Sequence, residues 1–232
     1  MHPPFLITLE VKMKKLFGTL IVLTSIAVSS NSFGAAHVGK NMSHIHMGHV
    51  STQWGDTPNQ AGLLPTAMKE AEIALTHATI ATKQLNNLNW LKTHTLHVVN
   101  AINPRIIPKG PGLGYGFIKA AQGVEKHIKL AANSADASAN VKLHAVHVST
   151  SAHNSIVRAN KILELAVKVK KSTSANQAAP FVKRIHALAQ QIVEGYDANG
   201  DGVISWVKNE GGLKASSKHL GIMQKGEGMA SM

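Results

Sequence analysis

The sequence predicts an all-α fold: an antiparallel helical bundle followed by a C-terminal helix-loop-helix. Three observations carry that expectation. No segment alternates β-branched and polar residues with the period of two that a half-buried strand requires. Long stretches rich in Ala, Leu, Lys and Gln place their apolar residues at the three-to-four spacing of a helix. Asn, Ser, Pro and Gly stand at the joints between those stretches, where caps and breakers belong.

The elements follow in order. Residues 1–36 read as an upstream extension and a cleaved signal peptide with its true start at Met13. Lys14 and Lys15 precede an apolar run from Leu16 to Val28, and small residues at 32–36 suit a signal peptidase. The run falls short of the ~18 apolar residues a membrane span needs, so the mature chain is expected to be exported, periplasmic or secreted. Residues 37–62, rich in His, Met, Gly and Ser, read as a flexible arm. The bundle is expected over 63–171. Pro65 opens its first helix, "NNLN" caps a second, "LNWLKTHTLHVVNAI", and Pro104 ends that one. The loop "NPRIIPKGPGLGYG" leads into "FIKAAQGVEKHIKLAAN", and a long helix runs from about Ser138 to Lys171. Residues 172–180 read as a linker, and 181–232 as a helix-loop-helix and tail around "DANGDG".

Composition narrows the chemistry. The net charge is +12 with 24 Lys and Arg against 12 Asp and Glu. Lysines spread over solvated helix faces account for most of that, while an anionic membrane surface or an acidic protein is the partner such charge favours. Nucleic acid is not expected in an exported protein with only 4% aromatic residues to stack on bases. With no cysteine, disulfides, thiolate metal sites and thioether-attached haem are excluded. A metal or haem must rely on His, Met and carboxylate.

The strongest motif is His-x-x-His-Val, which occurs as "HMGHV" from His46, "HTLHV" from His94 and "HAVHV" from His144. Residues three apart share a helix face, so each pair can offer two imidazoles to one ion. His46 and His49, His94 and His97, and His144 and His147 are the primary ligand candidates for Cu, Zn or Ni, with His37, His77 and His127 secondary. Met42 and Met47, interleaved with the first pair, add thioethers that suit copper. His77 sits in an apolar stripe between Ile73 and Ile80, so its replacement is expected to alter packing above all. A haem b held between His94 and His144 is the sharper rival, since one His from each of two helices suffices. The zinc-hydrolase pattern HEXXH is missing and no local signature places a nucleophile, so no enzyme is expected.

"DANGDGVIS" from Asp197 resembles the EF-hand calcium loop. Asp197, Asn199 and Asp201 fall at its first, third and fifth positions, Gly202 at the sixth, Val203 at the seventh with its carbonyl, and Ser205 at the ninth. Ile204 matches the residue the family places in its core. The resemblance implies a calcium site between two helices, of weak, extracellular-type affinity. The twelfth position, where the family has its bidentate Glu, is Lys208, and Glu210 stands two residues later.

The sequence therefore supports an exported protein that binds calcium in its C-terminal loop and a transition metal through helical histidines. A bis-His haem electron carrier is the first alternative. A calcium-stabilised interaction protein whose histidines bind nothing is the second.

Overall fold

The computed structural model describes residues 41–229. The leader and His37 lie outside the described residues. Seven α-helices are found within them: α1 (Met42–Ser51), α2 (Leu63–Ala81), α3 (Leu88–Ile102), α4 (Phe117–Asn133), α5 (Ala139–Lys171), α6 (Ala175–Glu194) and α7 (Leu213–Gly226). Single 3-10 turns occur at Pro58–Gln60 and Thr82–Gln84. The fold is all-α, as the residue pattern requires. No helix among the described residues is long and apolar enough to cross a membrane.

Side-chain caps set several helix starts. The Asn87 side chain accepts the Trp90 N–H, Ser138 accepts from Val141 and Ser174 from Gln177. Ser174 starts α6 early, so residues that read as a linker form its opening turns. Pro180 lies inside α6 on an exposed face, where its missing N–H forfeits one helical bond.

The arm differs more. Residues 42–51 form α1, capped by Asn41 and held at its N-terminus by Asp136, which accepts the N–H groups of Met42 and Ser43 at 2.6 and 3.2 Å. Composition hides this helix because its polar face is made of histidines and its anchor lies 94 residues away in sequence. Met47 is fully buried while Met42 is half exposed, so Met47 is a core residue and not a free thioether.

The core is built around α5, whose 33 residues span about 50 Å; α4, α6, α7 and α3 all pack on it. α2 packs on α3, α4 and α6 through small side chains. Ala67, Ala71, Ala74, Ala78 and Ala81 form one stripe, each at most 1% exposed. Ile73, His77 and Ile80 lie beside that stripe and are only half buried. Side-chain size misleads here: alanines let neighbouring helices approach closely and take the centre, and the residues expected there move to the flank.

Two buried charges fix the loops. Glu70 is fully buried on α2 and accepts the N–H groups of Leu113, Tyr115 and Gly116. Arg158 on α5, also buried, donates to the carbonyls of Gln191, Asn209, Glu210 and Gly211. The first pins the loop ahead of α4, the second the stretch ahead of α7. Gly195 has φ 96°, and a Cβ there would meet the Glu210 carbonyl oxygen at 2.7 Å, so this close approach between α6 and the loop needs glycine.

Candidate metal centres

The His-x-x-His-Val motif folds the same way three times. The residue after the first His and the closing Val are buried in each copy: Met47 with Val50, Thr95 with Val98, and Ala145 with Val148. Those two positions anchor the helix in the core and hold the two imidazoles at its boundary. Each pair then meets a third His from another helix. His46 and His49 of α1 meet His127 of α4, His94 and His97 of α3 meet His77 of α2, and His144 and His147 of α5 meet His219 of α7.

In all three groups the meeting atoms are Nδ1. His127 Nδ1 lies 3.2 Å from His46 Nδ1 and 3.3 Å from His49 Nδ1. His77 Nδ1 lies 3.1 Å from His94 Nδ1 and 3.2 Å from His97 Nδ1. His219 Nδ1 is 3.2 Å from both His144 Nδ1 and His147 Nδ1.

A hydrogen bond accounts for only part of this. An imidazole nitrogen carries either an N–H or an in-plane lone pair, never both, so the third His Nδ1 makes one proper hydrogen bond, as donor or as acceptor, and leaves its other contact without one. A cation in the middle serves all three. The spacing agrees: with metal–nitrogen bonds of about 2.0–2.1 Å in tetrahedral directions, ligand atoms lie about 3.3–3.4 Å apart.

Electrostatics keep these rings available. Burial pushes His127 down to about 4, helped by His49 and His46 and by Lys126. His219 is pushed down to about 4 by burial, then by His147, His144 and Lys218. Burial, followed by the neighbouring imidazoles, also lowers His49, His77, His94 and His147. All six shifts favour the neutral ring, the form that ligates.

Each triad also carries an indole, and the three tryptophans of the chain are all used. Trp54 lies 4.8 Å from the His49 ring and 4.5 Å from the His127 ring, centre to centre. Trp90 lies 4.3 Å from His94, and Trp206 stacks on His147 at 4.0 Å. One of the indoles is held in turn: the Trp90 N–H donates to the Ile80 carbonyl at 2.9 Å.

No protein-family model, curated protein or solved structure matches this chain. The geometry must therefore speak for itself.

All six primary histidines are found in triads, but not in the expected combinations. His94 and His144 belong to different triads, so the shared haem pair is not the arrangement found. His77 is a full member of the second triad and not a packing residue, because the alanine stripe takes the core. His127 completes the first triad. His219 was not singled out from sequence at all; its signal is faint, a Lys-His-Leu that echoes Lys-His-Ile at His127. His44 and His153 stand apart, each beside a carboxylate, Glu227 and Glu125.

In the C-terminal loop Asp197 accepts the N–H groups of Gly200 and Gly202, Asn199 accepts from Asp201, and Asp201 from Val203. Gly202 takes φ 84°. Glu210 is buried, and its Oε2 accepts both the N–H and the hydroxyl of Ser205 at 3.0 and 2.6 Å. Ile204 is 46% exposed and so is not the core residue the family resemblance implies. The exit helix begins at Leu213, after the paired turn of Gly195 with Gly211.

Proposed function

We propose that the protein is an exported metal binder that holds one transition-metal ion in each of three three-histidine sites. The observation that carries this reading is the convergence of three imidazole Nδ1 atoms, repeated on three different helix pairs with the same 3.1–3.3 Å spacing. A single cluster of that kind is a packing accident as easily as a site; three copies built on one motif are not. Imidazole sets suit copper, zinc and nickel. Among the described residues no carboxylate joins any triad, which favours holding an ion over acid–base chemistry upon it. Export rests on the leader read from the sequence.

Metal analysis of the full chain, purified without a His-tag or chelator and loaded with excess metal, is expected to give three equivalents. His77→Ala, His127→Ala and His219→Ala are each expected to give two. A His77→Ala protein that keeps three, or a wild type that retains none after gel filtration, would sink the reading.

We also infer a weak calcium site at Asp197, Asn199 and Asp201, with the Val203 carbonyl, Ser205 and Glu210 completing it. The positive φ of Gly202 at the turn position supports it. Millimolar calcium is expected to raise the melting temperature by several degrees, and Asp197→Ala to remove that rise. No shift in the wild type would mean that the loop keeps only its turn.

A further inference from the structure

Three properties bear on which ion the triads hold. First, all nine ligand candidates are imidazoles, and no carboxylate sits among them or bonds to them through an interaction of the described residues. Second, Lys126 and Lys218 stand directly before His127 and His219, ligands of the first and third triads, in a chain of net charge +12. Third, an indole lies against each triad at 4.0–4.8 Å from a ligand ring.

A divalent ion fits this poorly. Three neutral ligands leave its charge whole, and the half-buried site supplies no anion; the carboxylate that ordinarily stands behind a zinc-bound His is missing from these triads. Zinc on three histidines also completes its shell with a water, at a place where an aromatic ring adjoins the ligands. A monovalent ion of the same size carries roughly a quarter of the Born cost, since that cost grows with the square of the charge. Trp is the side chain whose face attracts a cation best within about 6 Å of its ring.

We propose that the three sites take copper as Cu(I), each ion held by three imidazole Nδ1 atoms and covered by the neighbouring indole in place of a water. The proposal rests on the three-site metal reading above and names the ion and its fourth neighbour. Copper enters as Cu(I), so no electron transfer at the protein is required.

The test is a titration of the full apo chain under nitrogen, once with Cu(I) and once with Zn(II). Bicinchoninate competes for Cu(I), and tryptophan emission is followed throughout. The expected result is three equivalents of Cu(I) retained against the chelator, with emission quenched in step over all three. Trp54→Leu, Trp90→Leu and Trp206→Leu are each expected to weaken one equivalent of Cu(I) about tenfold, in line with a cation–π contact, and to leave Zn(II) binding unchanged. Circular dichroism checks that each variant is folded, and the wild-type comparison stands without them. Three equivalents of Zn(II) with all Cu(I) lost to bicinchoninate would overturn the Cu(I) assignment and leave the three sites standing. So would equal weakening of both ions by loss of an indole. Failure of both ions to bind would overturn the metal reading itself.

Discussion

Arg158→Ala is expected to lower the unfolding free energy by about 3–5 kcal/mol, the range for removing one partner of a buried charged network. The guanidinium donates to four backbone carbonyls at 2.6–2.9 Å, and alanine removes that donor from all four. Burial has already drawn this guanidinium down to about 10, so the four carbonyls are what justify a charge in that position. Gln191 and Glu210 also accept the N–H groups of Gly195 and Tyr196, so the carbonyls of Asn209 and Gly211 depend on Arg158 most. Three of the four, from Asn209 to Gly211, lead directly into α7 and therefore into His219. The same variant is expected to lose the third metal equivalent while keeping the other two. Arg158→Lys should recover little, because an ammonium cannot reproduce the planar fork. Urea unfolding and metal counting on the same sample decide it. A loss below about 1 kcal/mol with three equivalents retained would refute the clamp.

Glu70→Ala is expected to cost about as much, roughly 3–5 kcal/mol, through the opposite chemistry. Here a carboxylate accepts three backbone N–H groups of the loop 112–116 at 2.8–3.2 Å. Without it those donors are buried unpaired. Glu70→Gln keeps one oxygen and turns an amide N–H₂ toward the remaining donors, so it should fall between wild type and alanine. The damage should also reach the first metal site. The Tyr115 hydroxyl donates to Asp56 at 2.8 Å, two residues along the chain from Trp54. A Glu70→Ala protein with an unchanged urea midpoint would show that the loop holds itself.

Much of this was open to reading from the residues. The helix at Leu88–Ile102 and the long helix to Lys171 announce themselves through Asn87, Ser138 and Pro104, because caps and breakers act locally. The ligand pairs announce themselves as well, since an i to i+3 spacing fixes a shared face. What a pair meets across the interface is a long-range fact. His219 lies 72 residues from His147 and His127 lies 78 from His49, and while His127 stands at the edge of an apolar helix face, nothing near His219 sets it apart from an ordinary surface histidine. His77 was legible but misjudged, because an isoleucine stripe looks like the core until the alanines beside it are seen to pack closer. The short helix α1 escaped notice because its stability comes from docking and from Asp136, not from propensity.

The separations within the triads have a consequence for how the chain comes together. A cysteine-free protein has no disulfide staples, yet on the proposed reading each bound ion ties two distant segments together. The middle ion closes a loop of 17 residues from His77 to His94, while the outer two close loops of 78 and 72. Closing a loop costs more entropy as it lengthens. The α2–α3 hairpin is therefore the first place where an ion can be captured by a chain still folding, and the outer two ions are the last to arrive. Once there, they restrain the denatured chain most, as long-range disulfides would. Unlike disulfides, they can be withdrawn by a chelator, which makes resistance to unfolding a quantity set by metal supply.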